Sequence, residues 1–126
     1  MRIATGLVAA LISMSATVSF AAEPAMQADS GMGKIYTDSK GMTLYTFDKD
    51  EAGKSNCNDK CAATWPPFKA AAGAMAEDEW TIVKRTDGTA MWAYDGKPVY
   101  TYGKDQKAGD ATGDGFGGLW HAAKPD

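Results

Sequence analysis

The chain has 126 residues, 44% hydrophobic and 10% aromatic, which suits one domain around one core. Its 13 basic residues are outnumbered by 16 acidic ones, for a net charge of −3. That balance argues against nucleic acid or anionic lipid as a partner, since both call for a basic footprint.

Met1-Arg2 is followed by an apolar run from Ile3 to Phe20, broken by Thr5, Ser13, Ser15 and Thr17, with small residues at Ser19 and Ala21. One positive charge, a short apolar stretch and a small-residue end predict a secretory signal peptide over 1–21 rather than a membrane anchor. No Cys stands near the junction to take a lipid. The expected mature chain is periplasmic or secreted and has no membrane span. Without Arg2, 12 of the 13 basic residues face the same 16 acidic ones. Residues 22–33 lack periodicity and read as a flexible leader, so the single domain is expected over 34–126.

Lys34 to Asp38 alternates, and Thr43 to Phe47 is rich in β-branched and aromatic residues. With Ser39-Lys40-Gly41 as the turn, these two segments predict a hairpin. Residues 49–64 read as a polar loop pinned by Cys57 and Cys61. Trp65-Pro66-Pro67-Phe68 is extended, because two prolines forbid a central strand. Lys69 to Glu79 is Ala-rich and suggests a turn or two of helix, weakened by Gly73. Trp80 to Thr86, Thr89 to Tyr94 and Val99 to Tyr102 predict a three-stranded meander. Its turns, Asp87-Gly88 and Asp95-Gly96, have the composition of type I′, which needs positive φ at both central residues. A Gly-rich loop over 104–118 leads to a closing strand at Leu119 to Ala122.

One stretch organises the rest. Gly41-Met42-Thr43-Leu44-Tyr45-Thr46-Phe47-Asp48-Lys49-Asp50 recurs as Gly96-Lys97-Pro98-Val99-Tyr100-Thr101-Tyr102-Gly103-Lys104-Asp105. The same offset carries Trp65 onto Trp120. The chain is therefore a duplication with core units 41–65 and 96–120. The expected fold is all-β: small antiparallel sheets from two related hairpin repeats, with pseudo-two-fold symmetry. Trp65 and Trp120 should enter one shared core, each indole N–H hydrogen-bonded.

Tyr45-x-Phe47-x-x-Asp50 and Tyr100-x-Tyr102-x-x-Asp105 both fit the pattern Y-x-[FWY]-x-x-D. With Cys57-x-x-x-Cys61-Ala62-x-x-Trp65-Pro66-Pro67 and the Gly-rich run from Gly109 to His121, they make the chain resemble the "secreted repeat of unknown function" family of predicted bacterial envelope lipoproteins. The resemblance implies an exported all-β repeat protein and brings no established activity. The lipid-acceptor Cys of lipoprotein members is missing, so lipidation does not carry over.

The residues with chemical potential have bland and sharp readings. Tyr45, Phe47, Tyr100 and Tyr102 share a face of their strands and either pack the core or offer an aromatic surface to a sugar or peptide. Asp50 and Asp105 either cap the following loops or face that ligand. Cys57 and Cys61 lie four apart, close enough for a disulfide in an oxidising compartment. As thiols, with His121, they would instead suit copper(I). Asp110, Thr112 and Asp114 place oxygens at alternate positions before Gly115, like the first half of a calcium loop, though His121 replaces the final Glu. One His does not make a catalytic triad, and no phosphate loop is present. The expectation is a non-enzymatic, cofactor-free, monomeric binding or structural module of the envelope. The alternative is a metal-binding protein of the periplasm.

Overall fold

A computed structural model describes residues 23–126, so the expected signal peptide at 1–21 lies outside the described residues. The first element overturns the flexible leader. Met26–Ser30 (β1) pairs antiparallel with Gly33–Thr37 (β2). Nothing in the composition of β1 marks it as a strand. The turn does the work: Gly33 takes φ 93°, and Ser30 Oγ donates to Gly33 O at 2.6 Å while accepting Met32 N at 3.0 Å. Buried Ile35 and Tyr36 then hold β2, and β1 with it, against the domain.

The expected hairpin between 34–38 and 43–47 also changes. Tyr45–Phe47 (β3) is only three residues long and has partners on both sides, so β2 meets this segment through the single bridge Thr37–Thr43. The meander is present as Trp80–Lys84 (β4), Ala90–Tyr94 (β5) and Lys97–Tyr100 (β6). Trp120–Ala122 (β7) completes a five-stranded antiparallel sheet in the order β4-β5-β6-β3-β7.

Of the two turns read as type I′, only Asp95-Gly96 has positive φ at both positions, 52° and 78°. At Asp87-Gly88 only Gly88 does. There Asp87 Oδ1 accepts both Thr89 N (2.9 Å) and Thr89 Oγ1 (2.6 Å), which opens a wider turn closed by Arg85 N to Thr89 O. The Ala-rich segment forms no helix. Its start is taken by the sheet: Trp92 N donates to Phe68 O and Ala70 N to Ala90 O. A short α-helix, Lys60–Thr64 (α1), lies in the loop read as irregular, where Trp65 N donates to Cys61 O.

Pseudo-two-fold symmetry is explicit in the hydrogen bonds. Tyr45 pairs with Tyr100, its own repeat equivalent, so the symmetry relation passes between β3 and β6. Asp48 N to Leu119 O matches Gly103 N to Thr64 O, both 2.8 Å. Ala123 N to Leu44 O matches Phe68 N to Val99 O, at 2.8 and 3.0 Å. Residues 64–68 thus do beside β6 what β7 does beside β3. The bridge Pro67–Tyr100 stays isolated because two prolines remove ladder donors. Two buried clusters follow from alternation along the strands. Tyr45, Tyr100, Trp65, Trp120 and Cys57 form one; Leu44, Val99, Tyr36, Trp80, Trp92 and Tyr94 form the other.

Candidate functional site

The repeat signature converges on a column of rings. Phe47 stacks on Trp120 (4.2 Å, 14°), Trp120 on Trp65 (3.8 Å, 2°) and Trp65 on Tyr102 (4.0 Å, 19°). Tyr45 meets Trp65 edge-on at 5.4 Å, and Tyr100 meets Trp120 edge-on at 5.3 Å. The column is symmetric, since Phe47 and Tyr102 are equivalents and so are the two indoles. Both indoles are buried in one shared core. Gly113 is required for their seating: a Cβ there would lie 2.6 Å from Trp65 Cη2. The expected hydrogen bonds from the indole N–H groups are not formed. Among the described residues neither Nε1 has a hydrogen-bond acceptor, and Trp80 Nε1 in the other cluster is buried without a partner.

The tyrosines and aspartates cross between repeats. Tyr45 Oη donates to Asp105 Oδ2 and Tyr100 Oη to Asp50 Oδ2, each at 2.6 Å. The second oxygen of each carboxylate holds its own loop. Asp50 Oδ1 accepts Asn56 N at 2.7 Å, and Asp105 Oδ1 accepts Thr112 N at 3.0 Å together with Thr112 Oγ1. Tyr45 Oη also accepts Gly113 N at 3.2 Å. Sequence reasoning missed the crossing, because pairing of Asp50 with a tyrosine 50 residues away has no local signal. Neighbouring Tyr45 and Tyr100 in the sheet make it possible.

Burial raises the Asp50 carboxyl above its ordinary 3.8, against the opposing pull of Tyr100, Asn56 and Arg85. Burial first, and then the facing carboxylate, push the Tyr45 and Tyr100 phenols well above their ordinary 10.0. Unfolded phenols lose protons near pH 10 while these two keep them, so the folded state binds more protons there. Their contribution is intact below pH 10 and is lost as pH rises beyond it. A spectrophotometric titration should therefore show the Tyr45 and Tyr100 step appearing together with loss of near-UV circular dichroism. The Tyr45→Phe/Tyr100→Phe protein should show a smaller coincident step, that of Tyr94, whose phenol is also held above its ordinary value by burial.

Arg85 is an unforeseen member of the site. Nearly buried at the end of β4, its Nη2 donates to Cys57 O (2.7 Å) and Asn58 Oδ1 (3.2 Å), and its Nη1 to Ser55 Oγ (2.9 Å). Ser55 Oγ shares a hydrogen bond with Tyr100 Oη, which completes a chain Arg85–Ser55–Tyr100–Asp50 that is buried up to its half-buried Asp50 end. A lone Arg on a strand of alternating polarity gives no sign of this role.

The two sulfurs are joined as Cys57–Cys61, with Cα atoms 5.1 Å apart. This corrects the copper alternative, because two of its three ligands are consumed. His121 points outward and binds Asp48 Oδ2 through Nε2 at 2.8 Å. The oxygens of the calcium alternative are engaged elsewhere. Asp110 Oδ2 accepts Gln106 N and Lys107 N, Asp114 Oδ1 accepts Ala122 N, and Thr112 Oγ1 donates to Asp105. These groups cap loops rather than converge, and among the described residues no group of three or more His, Cys, Asp or Glu could hold a metal ion.

The open chemistry lies on the other side of β7, β3 and β6. A hollow of about 270 Å³ is walled by Tyr94, Lys97, His121, Lys124 and Asp126. A second, of about 280 Å³, is walled by Phe47, Glu51, Gly96 and Pro98. They share Thr46, Asp48, Asp95 and Lys97, so they adjoin and carry both signs of charge.

A family model described as "Secreted repeat of unknown function" matches residues 26–69 and 81–124, together more than half of the chain. The matched spans are wider than the core units 41–65 and 96–120: each also takes in a leading hairpin, β1-β2 or β4-β5. No curated protein and no solved structure matches the chain. Among the described residues no helix is long and apolar enough to cross a membrane.

Proposed function

The chain belongs to the family of secreted repeats of unknown function, and from that premise we propose a non-enzymatic binding module of the bacterial envelope, exported to the periplasm by the segment 1–21. Its ligand face is the pair of hollows beside β7, β3 and β6. One observation carries the reading: the buried signature side chains Tyr45, Tyr100 and Asp105 are spent on one another and on Asp50 at the rim of the second hollow, whereas Asp48, Asp95, Lys97, His121 and Lys124 border open hollows with exposed polar groups. An interior satisfied in this way specifies the fold, and exposed concave polar surface is where a ligand finds partners.

The test is co-sedimentation of the mature protein with purified envelope material, meaning cell-wall sacculi and membrane fragments assayed separately. Reversing two wall charges, Lys97→Glu with Lys124→Glu, should weaken binding about tenfold with unchanged thermal stability. Lys69→Glu, away from both hollows, should bind like the parent. No sedimentation of the parent, or equal sedimentation of all three, overturns the proposal.

A further inference from the structure

The interior has a second capacity, independent of the outer hollows. We propose that the stacked pair Trp65–Trp120, with Tyr45 and Tyr100 edge-on to it, is a one-electron oxidation site that intercepts small oxidising radicals and stores the hole on a tyrosine whose proton passes to a carboxylate.

The first ground is the stack. Aromatic pairs commonly sit at about 4.5–7 Å between centroids. The two indoles lie at 3.8 Å and 2°, with a further ring within 4.2 Å on each outer side. Close parallel π-systems share a positive hole, which makes the pair easier to oxidise than an isolated indole. The second ground is position. Tyr45 stands edge-on to Trp65 and Tyr100 edge-on to Trp120, at 5.4 and 5.3 Å between ring centroids, near enough for an electron to pass between phenol and indole.

The third ground is the proton. A phenol is readily oxidised only if its proton leaves with the electron. Tyr45 and Tyr100 each already donate to a carboxylate at 2.6 Å, so the acceptor is in place. Tyr102 also stacks on Trp65, but among the described residues no carboxylate accepts its hydroxyl. A carboxylate stands in each repeat, aimed at a tyrosine beside an indole, where a proton acceptor has to be.

The steps balance. An oxidising radical takes one electron from the indole pair and becomes its anion, leaving the pair as a radical cation. Tyr45 returns one electron to the pair as its phenolic proton moves along the existing hydrogen bond to Asp105. The products are a neutral tyrosyl radical, a neutral carboxylic acid and the restored pair. Tyr100 and Asp50 do the same from the other side. A one-electron reductant of the thiol or ascorbate class then supplies an electron, and the proton returns from carboxylic acid to phenolate.

The test is pulse radiolysis of the mature protein with azide radical as the probe oxidant. The indole-radical absorption should convert to tyrosyl absorption in a first-order step independent of protein concentration. Asp50→Asn with Asp105→Asn keeps every ring and should slow that conversion about a hundredfold, the low end of what a positioned proton acceptor contributes. Tyr45→Phe with Tyr100→Phe should leave the indole radical to decay without the fast step, while Trp80→Phe should leave the fast step intact. Should the paired variants misfold, freeze-quenched parent protein decides alone. Its tyrosyl electron-paramagnetic-resonance signal should show a hydrogen-bond proton coupling that disappears in D2O. Unchanged conversion in the tyrosine or aspartate variants, or a parent signal without an exchangeable coupling, overturns the relay.

Discussion

Tyr45→Ala should destabilise the fold by roughly 3–5 kcal/mol, the range for deleting a large buried ring, with Tyr100→Ala close to it. Both tyrosines are fully buried and lie side by side at the junction of the repeats. Removing the Tyr45 ring opens a cavity against Trp65 and Tyr102. It also leaves Asp105 Oδ2 and Gly113 N without their partner. Tyr45→Phe isolates the polar share. The ring remains and the carboxylate stays buried with one donor fewer, so about 1–3 kcal/mol should be lost. Urea unfolding followed by tryptophan fluorescence measures both, provided the slope with urea is unchanged between proteins. A Tyr45→Ala cost under about 1 kcal/mol would mean that the crossed pairs do not hold the repeats together.

Trp65→Ala and Trp120→Ala should each cost at least roughly 3–5 kcal/mol, because each loses its burial and also the stack. Trp65 has face contacts with Trp120 and Tyr102 and edge contacts with Tyr45 and Phe116. Trp120 has face contacts with Trp65 and Phe47 and an edge contact with Tyr100. Aromatic pairs of this kind add about 0.5–1.5 kcal/mol beyond area. A small domain has about 5–15 kcal/mol in total, so either substitution leaves it near the folding threshold. The two residues share one contact, so the double variant should cost less than the sum of the singles. Strict additivity in thermal unfolding would show that the two indoles act as independent core residues.

Much of this molecule is legible locally. The period-two pattern marks Trp80 to Tyr102 as a meander, and Asp95-Gly96 announces its type I′ turn through the positive φ that Gly tolerates. The offset of 55 residues carrying Trp65 onto Trp120 exposes the duplication, and the spacing of Cys57 and Cys61 suits the disulfide. Misreadings arose where tertiary partners outweighed local preference. β1 has no strand composition and is recruited by Ile35 and Tyr36 across a Gly33 turn. The segment after Phe68 has helix-forming alanines, yet Ala70 N is claimed by Ala90 O.

What the sequence by itself determined is the repeat, visible as matched residues 55 positions apart, and most of the strands, each set by residues within one turn or one strand of each other. What only the tertiary structure decided is who meets whom. Tyr45 binds the aspartate of the other repeat, Arg85 reaches Cys57 and Ser55, and β3 takes β6 and β7 instead of β2. The reason is physical. A strand fixes the face on which its side chains point, but its partner is chosen by competition among all edges for hydrogen bonds and burial. That competition is settled only when two copies of the unit close around one core, where every buried hydroxyl and carboxylate must find a partner.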